Sequence, residues 1–176
     1  MGEAITERDS LPVMTTLGVT TLISDSGVTR YRVNTEEWMM YDRKKPSYWA
    51  FEKGVYMEQF DSIFNVEASI KADTAYYYDK ERLWKLIGNV DIQNRKGERF
   101  NTELLYWNEA TQKVYSDKFI RIQQPDRIIT GHGFDSNQQM TIYTIRNIEG
   151  IFYVDEEASS GPPQPETKAL PDSVNK

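Results

Sequence analysis

The single histidine of the chain, His132, sits in Gly131-His132-Gly133-Phe134-Asp135 and is the first residue to weigh for chemistry. Paired with Asp135 and a serine it would form a hydrolytic triad. A triad needs three groups in agreed geometry, only one spacing is visible, and the flanking glycines fit a bend carrying a solvent-facing histidine. One histidine among scattered acids is also a weak metal site, and the absence of cysteine excludes thiolate ligands, cysteine nucleophiles and disulfides. Glu36 with Glu37, or Glu58 with Asp61, have the side chains of a glycosidase pair, but nothing around them raises a carboxyl pKa or sets two carboxylates face to face. Solvated turns and strand surfaces account for them. No Gly-x4-Gly-Lys-Ser/Thr phosphate loop is present. The sequence therefore predicts no catalytic residue, no metal site and no cofactor.

The elements that would position any site follow from length, charge and period. The chain has 176 residues, enough for one domain with a sizeable core. Its formal charge of −6, without a basic run, argues against binding nucleic acid. No apolar run is long enough for a membrane-spanning helix. Met1-Gly2 opens a formal myristoylation pattern but reads more simply as an expression scar, which puts the natural start, with any signal peptide or anchor, upstream. Residues 1–17 are expected to be linker. Residues 155–176, acidic and rich in proline, are expected to be a disordered tail. The folded body is then 18–154.

Within that body apolar residues recur at every second position, as in Trp84, Leu86, Val90 and Ile92, or Ile120 and Ile122, which predicts strands with one buried face. Polar breaks such as Asp25-Ser26-Gly27, Lys44-Lys45-Pro46, Asp79-Lys80-Glu81, Arg95-Lys96-Gly97-Glu98, Asn108-Glu109-Ala110-Thr111, Pro125-Asp126 and Asp135-Ser136-Asn137 divide them into successive hairpins. A helical turn fits Thr35–Tyr41 but is too short to matter. An aromatic precedes a turn former at Tyr78, Trp107 and Phe134, 29 and 27 residues apart. A repeat of that size with two strands per unit predicts stacked hairpins, an all-β jelly roll or flattened coils of sheet.

Period-two counting assigns the even positions Tyr76, Tyr78, Trp84, Leu86, Val90, Ile92, Phe100, Leu104, Tyr106, Ile120 and Ile122 to the interior. Lys85, Asn89, Asp91, Asn101, Glu103 and Arg121 fall outside. Turns reset parity, and Leu105 and Trp107 already blur the pattern. The aromatics, including Tyr41, Tyr48, Trp49, Phe51, Tyr56, Phe60 and Phe64, fit either an ordinary β core or an apolar slot that its own side chains leave unfilled.

The ordered set Ile70-x-Ala72-Asp73-x-Ala75-x-Tyr77, Leu86-x-Gly88-Asn89-Val90-x-Ile92, Gly97-x-x-Phe100-x-Thr102-x-x-Leu105-x-Trp107, Ser116-x-x-x-Ile120-x-Ile122, Thr130-Gly131-x-Gly133-Phe134-x-Ser136 and Ile148-x-Gly150-x-Phe152 resembles the LptC-type periplasmic component of lipopolysaccharide export. More broadly, it resembles the OstA-like β-jelly rolls. The resemblance covers about Thr20 to Val154, with Gly131, Gly133 and Phe134 as its best single element. The acidic tail is outside the family pattern.

The resemblance implies a twisted, open jelly roll with a hydrophobic slot, here lined by the even set, and no enzymatic activity. It implies lipopolysaccharide as cargo and an inner-membrane ABC transporter complex on one side. On the other side stands a soluble periplasmic bridge protein of the same fold, joined by edge-strand addition. The natural form is expected to be tethered to the inner membrane by an N-terminal segment. The stretch Thr141–Arg146, with Thr141, Tyr143 and Ile145, is the expected exit edge, since an unpaired strand is a template for another chain. The free soluble bridge is a sibling reading. A carbohydrate-binding β-sandwich, with a row of solvent-exposed tryptophans, is the rival from another class.

Overall fold

The computed structural model describes residues 8–154. After a helical turn at residues 8–10, eleven strands follow: β1 (Met14–Asp25), β2 (Val28–Tyr41), β3 (Tyr48–Phe51), β4 (Val55–Phe60), β5 (Val66–Ala72), β6 (Thr74–Tyr78), β7 (Leu83–Asn94), β8 (Arg99–Asn108), β9 (Lys113–Gln123), β10 (Arg127–Asn137) and β11 (Tyr143–Tyr153). The protein is all-β, in one antiparallel sheet. β1 begins inside the stretch expected to be linker, and residues 35–41 extend β2 rather than forming a helical turn, because they pair with β1 and β3. The turn expected at Asp135–Asn137 lies just beyond it, those residues closing β10. The proposed tail at 155–176 lies outside the described residues.

The pairings reduce to a meander. β3 and β4 both pair with β2, and β6 and β5 both pair with β7, so each couple acts as one long strand interrupted midway, at Glu52–Gly54 and at Asp73. The longer strands show matching breaks of register, between Ile87 and Val90 in β7, between Thr102 and Tyr106 in β8, and between His132 and Phe134 in β10. Gly88 sits on this line at φ +80° with the Asp73 side chain 3.0 Å from where a Cβ would be, so both the backbone angle and the space call for glycine.

This line is a crease. Phe100 and Ile129 both pair with Ile122, so in a flat sheet Phe134, five residues further along β10, would lie about 17 Å down the strands from Phe100. Their ring centroids are 5.7 Å apart. Tyr31 and Trp107, at opposite ends of their strands, likewise meet at 4.9 Å. The sheet therefore folds across its own strands into two facing halves, with the crease along one side and both rows of turns meeting at the other. That arrangement makes an open jelly roll: β1 pairs only with β2 and β11 only with β10, which leaves two free edges.

The core fills the fold between the halves. Trp84, Leu86, Val90, Ile92, Phe100, Leu105, Ile120, Ile122 and Phe134 are essentially inaccessible to solvent. Odd-length breaks at the crease reverse parity. β5 buries Ile70 and Ala72 whereas β6 buries Ala75, and β8 buries Phe100 and Thr102 but then Leu105 and Trp107. β7 keeps its parity through Trp84, Leu86, Val90 and Ile92.

Candidate functional site

An apolar cavity of about 280 Å³ lies at the β1 end of the interior. β1 supplies Ile23, β2 Val33 and Trp38, β3 Trp49 and Phe51, and β7 Trp84, while Thr21, Leu22 and Ser24 of the free edge close its rim. The rings form a connected wall: Trp38 and Trp49 are 4.9 Å apart, Trp38 and Phe51 6.0 Å, and Phe51 and Trp84 5.5 Å. The Trp84 Nε1–H donates to Glu109 Oε1 at 3.0 Å, and the Tyr77 hydroxyl donates to Oε2 at 3.2 Å, so one carboxylate fixes two rings of this layer. Burial, followed by the Glu109 carboxylate, pushes the Tyr77 hydroxyl well above the ordinary tyrosine range.

Of the residues expected to line a slot, only Trp84 borders this cavity. Leu86, Val90, Ile92, Phe100, Ile120 and Ile122 are buried in the core but do not line the cavity. Tyr76, Tyr78, Leu104 and Tyr106 are not interior. The break at Asp73 reverses β6, so Tyr76 and Tyr78 cluster with Tyr48 at 5.8 and 6.0 Å while Ala75 and Tyr77 face in. The register shift after Thr102 does the same in β8. It puts Leu104 beside Ile87 and stacks Tyr106 on Tyr115 at 5.3 Å, while Leu105 and Trp107 are buried. Ile23, Val33, Trp38, Trp49 and Phe51 were missed as lining residues. The pair Trp49-x-Phe51 was their visible signal, and the reversal within β2 hid Trp38.

At the expected exit edge, Thr141 lies in the β10–β11 turn and not on the strand, its N–H donating to Asn137 Oδ1 at 2.9 Å. Tyr143 and Ile145 do lie on β11, opposite Ser136 and Phe134, with side chains packed on the core. Gly131 and Gly133 sit where a Cβ would fall 2.3 Å from the Asn147 carbonyl oxygen and 2.6 Å from Arg146 Nε, so β10 approaches β11 closely there. Phe134 is fully buried.

The mouth opposite the crease differs along its length. On the β11 side it is clasped. Buried Glu98 accepts hydrogen bonds from Asn94 Nδ2 at 2.9 Å, Gln124 Nε2 at 3.1 Å and the Tyr143 hydroxyl at 2.5 Å. Asn94 Nδ2 also reaches the Met140 carbonyl at 2.8 Å, tying the β7–β8 turn to the β10–β11 turn. Toward β1 the same mouth opens as a polar cleft of about 610 Å³ that shares Ile23 and Ser24 with the apolar cavity.

Burial, then the bond to Glu98, pushes the Tyr143 hydroxyl up from 10.0 to about 12. A group raised in the folded state stabilises fully below its unfolded pKa, and that contribution disappears as pH climbs through the folded value. Unfolding free energy is therefore expected to fall between pH 10 and 12. Tyr143→Phe should lose part of that slope, as followed by urea titration at each pH.

The chemistry weighed from the sequence takes ordinary forms. His132 Nδ1 meets Glu149, both half-exposed, and Asp135 pairs with Arg146, so His132 and Asp135 do not form a couple. Glu37 binds Lys53 and Glu58 binds Arg32. Asp61 caps its own turn through the N–H groups of Asn65 and Ile63, and the Asn65 bond leads in holding its pKa down. Among the described residues no cluster of potential metal ligands is found, and no helix is long and apolar enough to cross a membrane. The exposed row of tryptophans that a carbohydrate-binding sandwich would show is not there. Trp84 and Trp107 are buried, and Trp38 and Trp49 pack against the core.

A creased antiparallel sheet with an apolar interior, a ring-lined cavity at one free edge and an edge strand at each end has the architecture of an open jelly roll. The family model described as lipopolysaccharide-assembly, LptC-related, matches residues 13–150, and the chain belongs to that family. It thus has a role in lipopolysaccharide transport, in a family of periplasmic transport and scaffold proteins. No curated protein matches the chain.

Proposed function

We propose that this domain is a non-enzymatic carrier and scaffold. It accepts lipopolysaccharide from the inner-membrane ABC transporter at its β1 end and passes it at its β11 end to a bridge protein of the same fold, while an N-terminal segment tethers the natural form to the inner membrane. The observation that carries this reading is the apolar cavity at the β1 edge of a sheet whose edge strands, among the described residues, are β1 and β11, each paired on one side alone. A lipid acyl chain entering such a cavity leaves water and brings no polar atom that needs a partner there.

The β11 edge is suited to strand addition. Asn137 N–H donates to the Ile142 carbonyl, and antiparallel bonds alternate, so the N–H groups of Tyr143 and Ile145 point away from β10 toward the free side. Proline at 145 removes an outward donor while leaving every bond to β10 in place. Ile145→Pro is expected to stay folded by circular dichroism and to lose at least about tenfold in affinity for the bridge protein, since several edge hydrogen bonds depend on an extended backbone there. Unchanged affinity in a folded variant would move the partner edge elsewhere.

A further inference from the structure

We infer that the polar cleft at the lateral mouth is a saccharide site, holding the sugar head of the amphiphile whose acyl chain enters the neighbouring cavity. This rests on the carrier reading and adds to it a head-group site with its own residues. Three observations carry it.

The cleft and the cavity share Ile23 and Ser24, so one ligand can occupy both. Around the cleft, the side chains of Gln59, Gln112, Gln138 and Gln139 and the Arg30 guanidinium have no hydrogen-bond partner among the described residues, although most of them are half-buried. A primary amide offers two donors and an acceptor, and a sugar hydroxyl both gives and takes one bond, so convergent glutamines match a polyhydroxylated ring. Tyr31 and Tyr77 add ring surface at the same place.

Charge selects the class of head group. Arg30 and Arg82 face Asp61, Glu67 and Glu109 in the same lining, and with Arg82 3.6 Å from Glu109 and Arg95 3.8 Å from Glu67 the charges there balance. Such a lining does not concentrate phosphate. It suits neutral hydroxyls, with the carboxylates as acceptors.

The test uses the full chain and follows tryptophan fluorescence, since Trp84 is joined to Glu109 of the cleft. The probe is a glucosamine disaccharide stripped of acyl chains and phosphates, run beside the same disaccharide carrying its phosphates, inorganic phosphate alone and a fatty acid. The two disaccharides should bind within about threefold of each other, and phosphate should not compete, because amide–hydroxyl bonds carry the recognition. The double variant Gln138→Ala with Gln139→Ala should weaken the disaccharide by about tenfold while leaving fatty-acid binding unchanged. Binding only of the phosphorylated sugar, competition by phosphate, or indifference to the double variant would overturn the saccharide site. Loss of fatty-acid binding by the unaltered protein would instead count against the carrier reading.

Discussion

Leu105→Ala is expected to cost about 2–5 kcal/mol of unfolding free energy, whereas the same change one residue earlier, Leu104→Ala, should cost less than about 1 kcal/mol. Leu105 has no solvent exposure and belongs to the core, so truncation leaves a void that rigid neighbours fill only in part. Leu104 lies half-buried on the outer face beside Ile87, where solvent and flexible neighbours take up the change. Urea titration of the two variants against the parent protein decides the matter. Similar losses, or the larger loss at 104, would mean that β8 does not reverse its faces at the crease.

Glu98→Ala carries the second large effect. The carboxylate is the shared acceptor for Asn94, Gln124 and Tyr143, and its removal leaves three donors at the mouth without it. A loss of about 1–3 kcal/mol is expected, because the half-buried Tyr143 hydroxyl loses its acceptor, while Asn94 Nδ2 keeps the Met140 carbonyl and Gln124 Nε2 keeps the Tyr143 hydroxyl oxygen. Glu98→Gln keeps an acceptor and should lose less. Spin labels at Lys96 and Gln139, placed on the two turns that the clasp joins, should report a wider and more heterogeneous distance in Glu98→Ala than in the parent. An unaltered distance distribution would show that packing of Phe100 against Phe134 and Tyr143 closes the mouth without the clasp.

The pattern of hairpins and the all-β class follow directly from local signals: turn formers at short intervals and apolar residues at every second position. Period two also locates Trp84, Leu86, Val90, Ile92, Phe100, Ile120 and Ile122 in the interior. It fails at Tyr76, Tyr78, Leu104 and Tyr106 for one physical reason. A crease must bend every strand at the same level, and each strand does so with its own number of extra residues. Two or four residues preserve the face, as in β7, and an odd number reverses it, as between Ala72 and Ala75 or Thr102 and Leu105. The number is settled by how neighbouring strands align, which no single stretch of sequence records. The cavity was hidden for the same reason. Its walls come from β1, β2, β3 and β7, and it depends on the free edge at Thr21–Ser24 lying beside Trp84 of β7, far along the chain. Likewise, Glu98 reads as a solvated turn residue until the fold brings Tyr143 to it.

The most direct measurement of the central claim, that the β1 end of the interior receives the acyl chains of lipopolysaccharide, is photo-crosslinking during active transport. A photoreactive residue in place of Trp49 or Ile23, inside the cavity, should capture lipopolysaccharide. The same residue in place of Tyr76, Tyr106 or Arg121, on the outer face, should not. Capture at Phe100 should stay low in the parent and rise when Glu98→Ala releases the clasp. Equal capture on both faces, or none at Trp49 and Ile23 while transport proceeds, would contradict the account and leave the cavity a packing defect of an ordinary core.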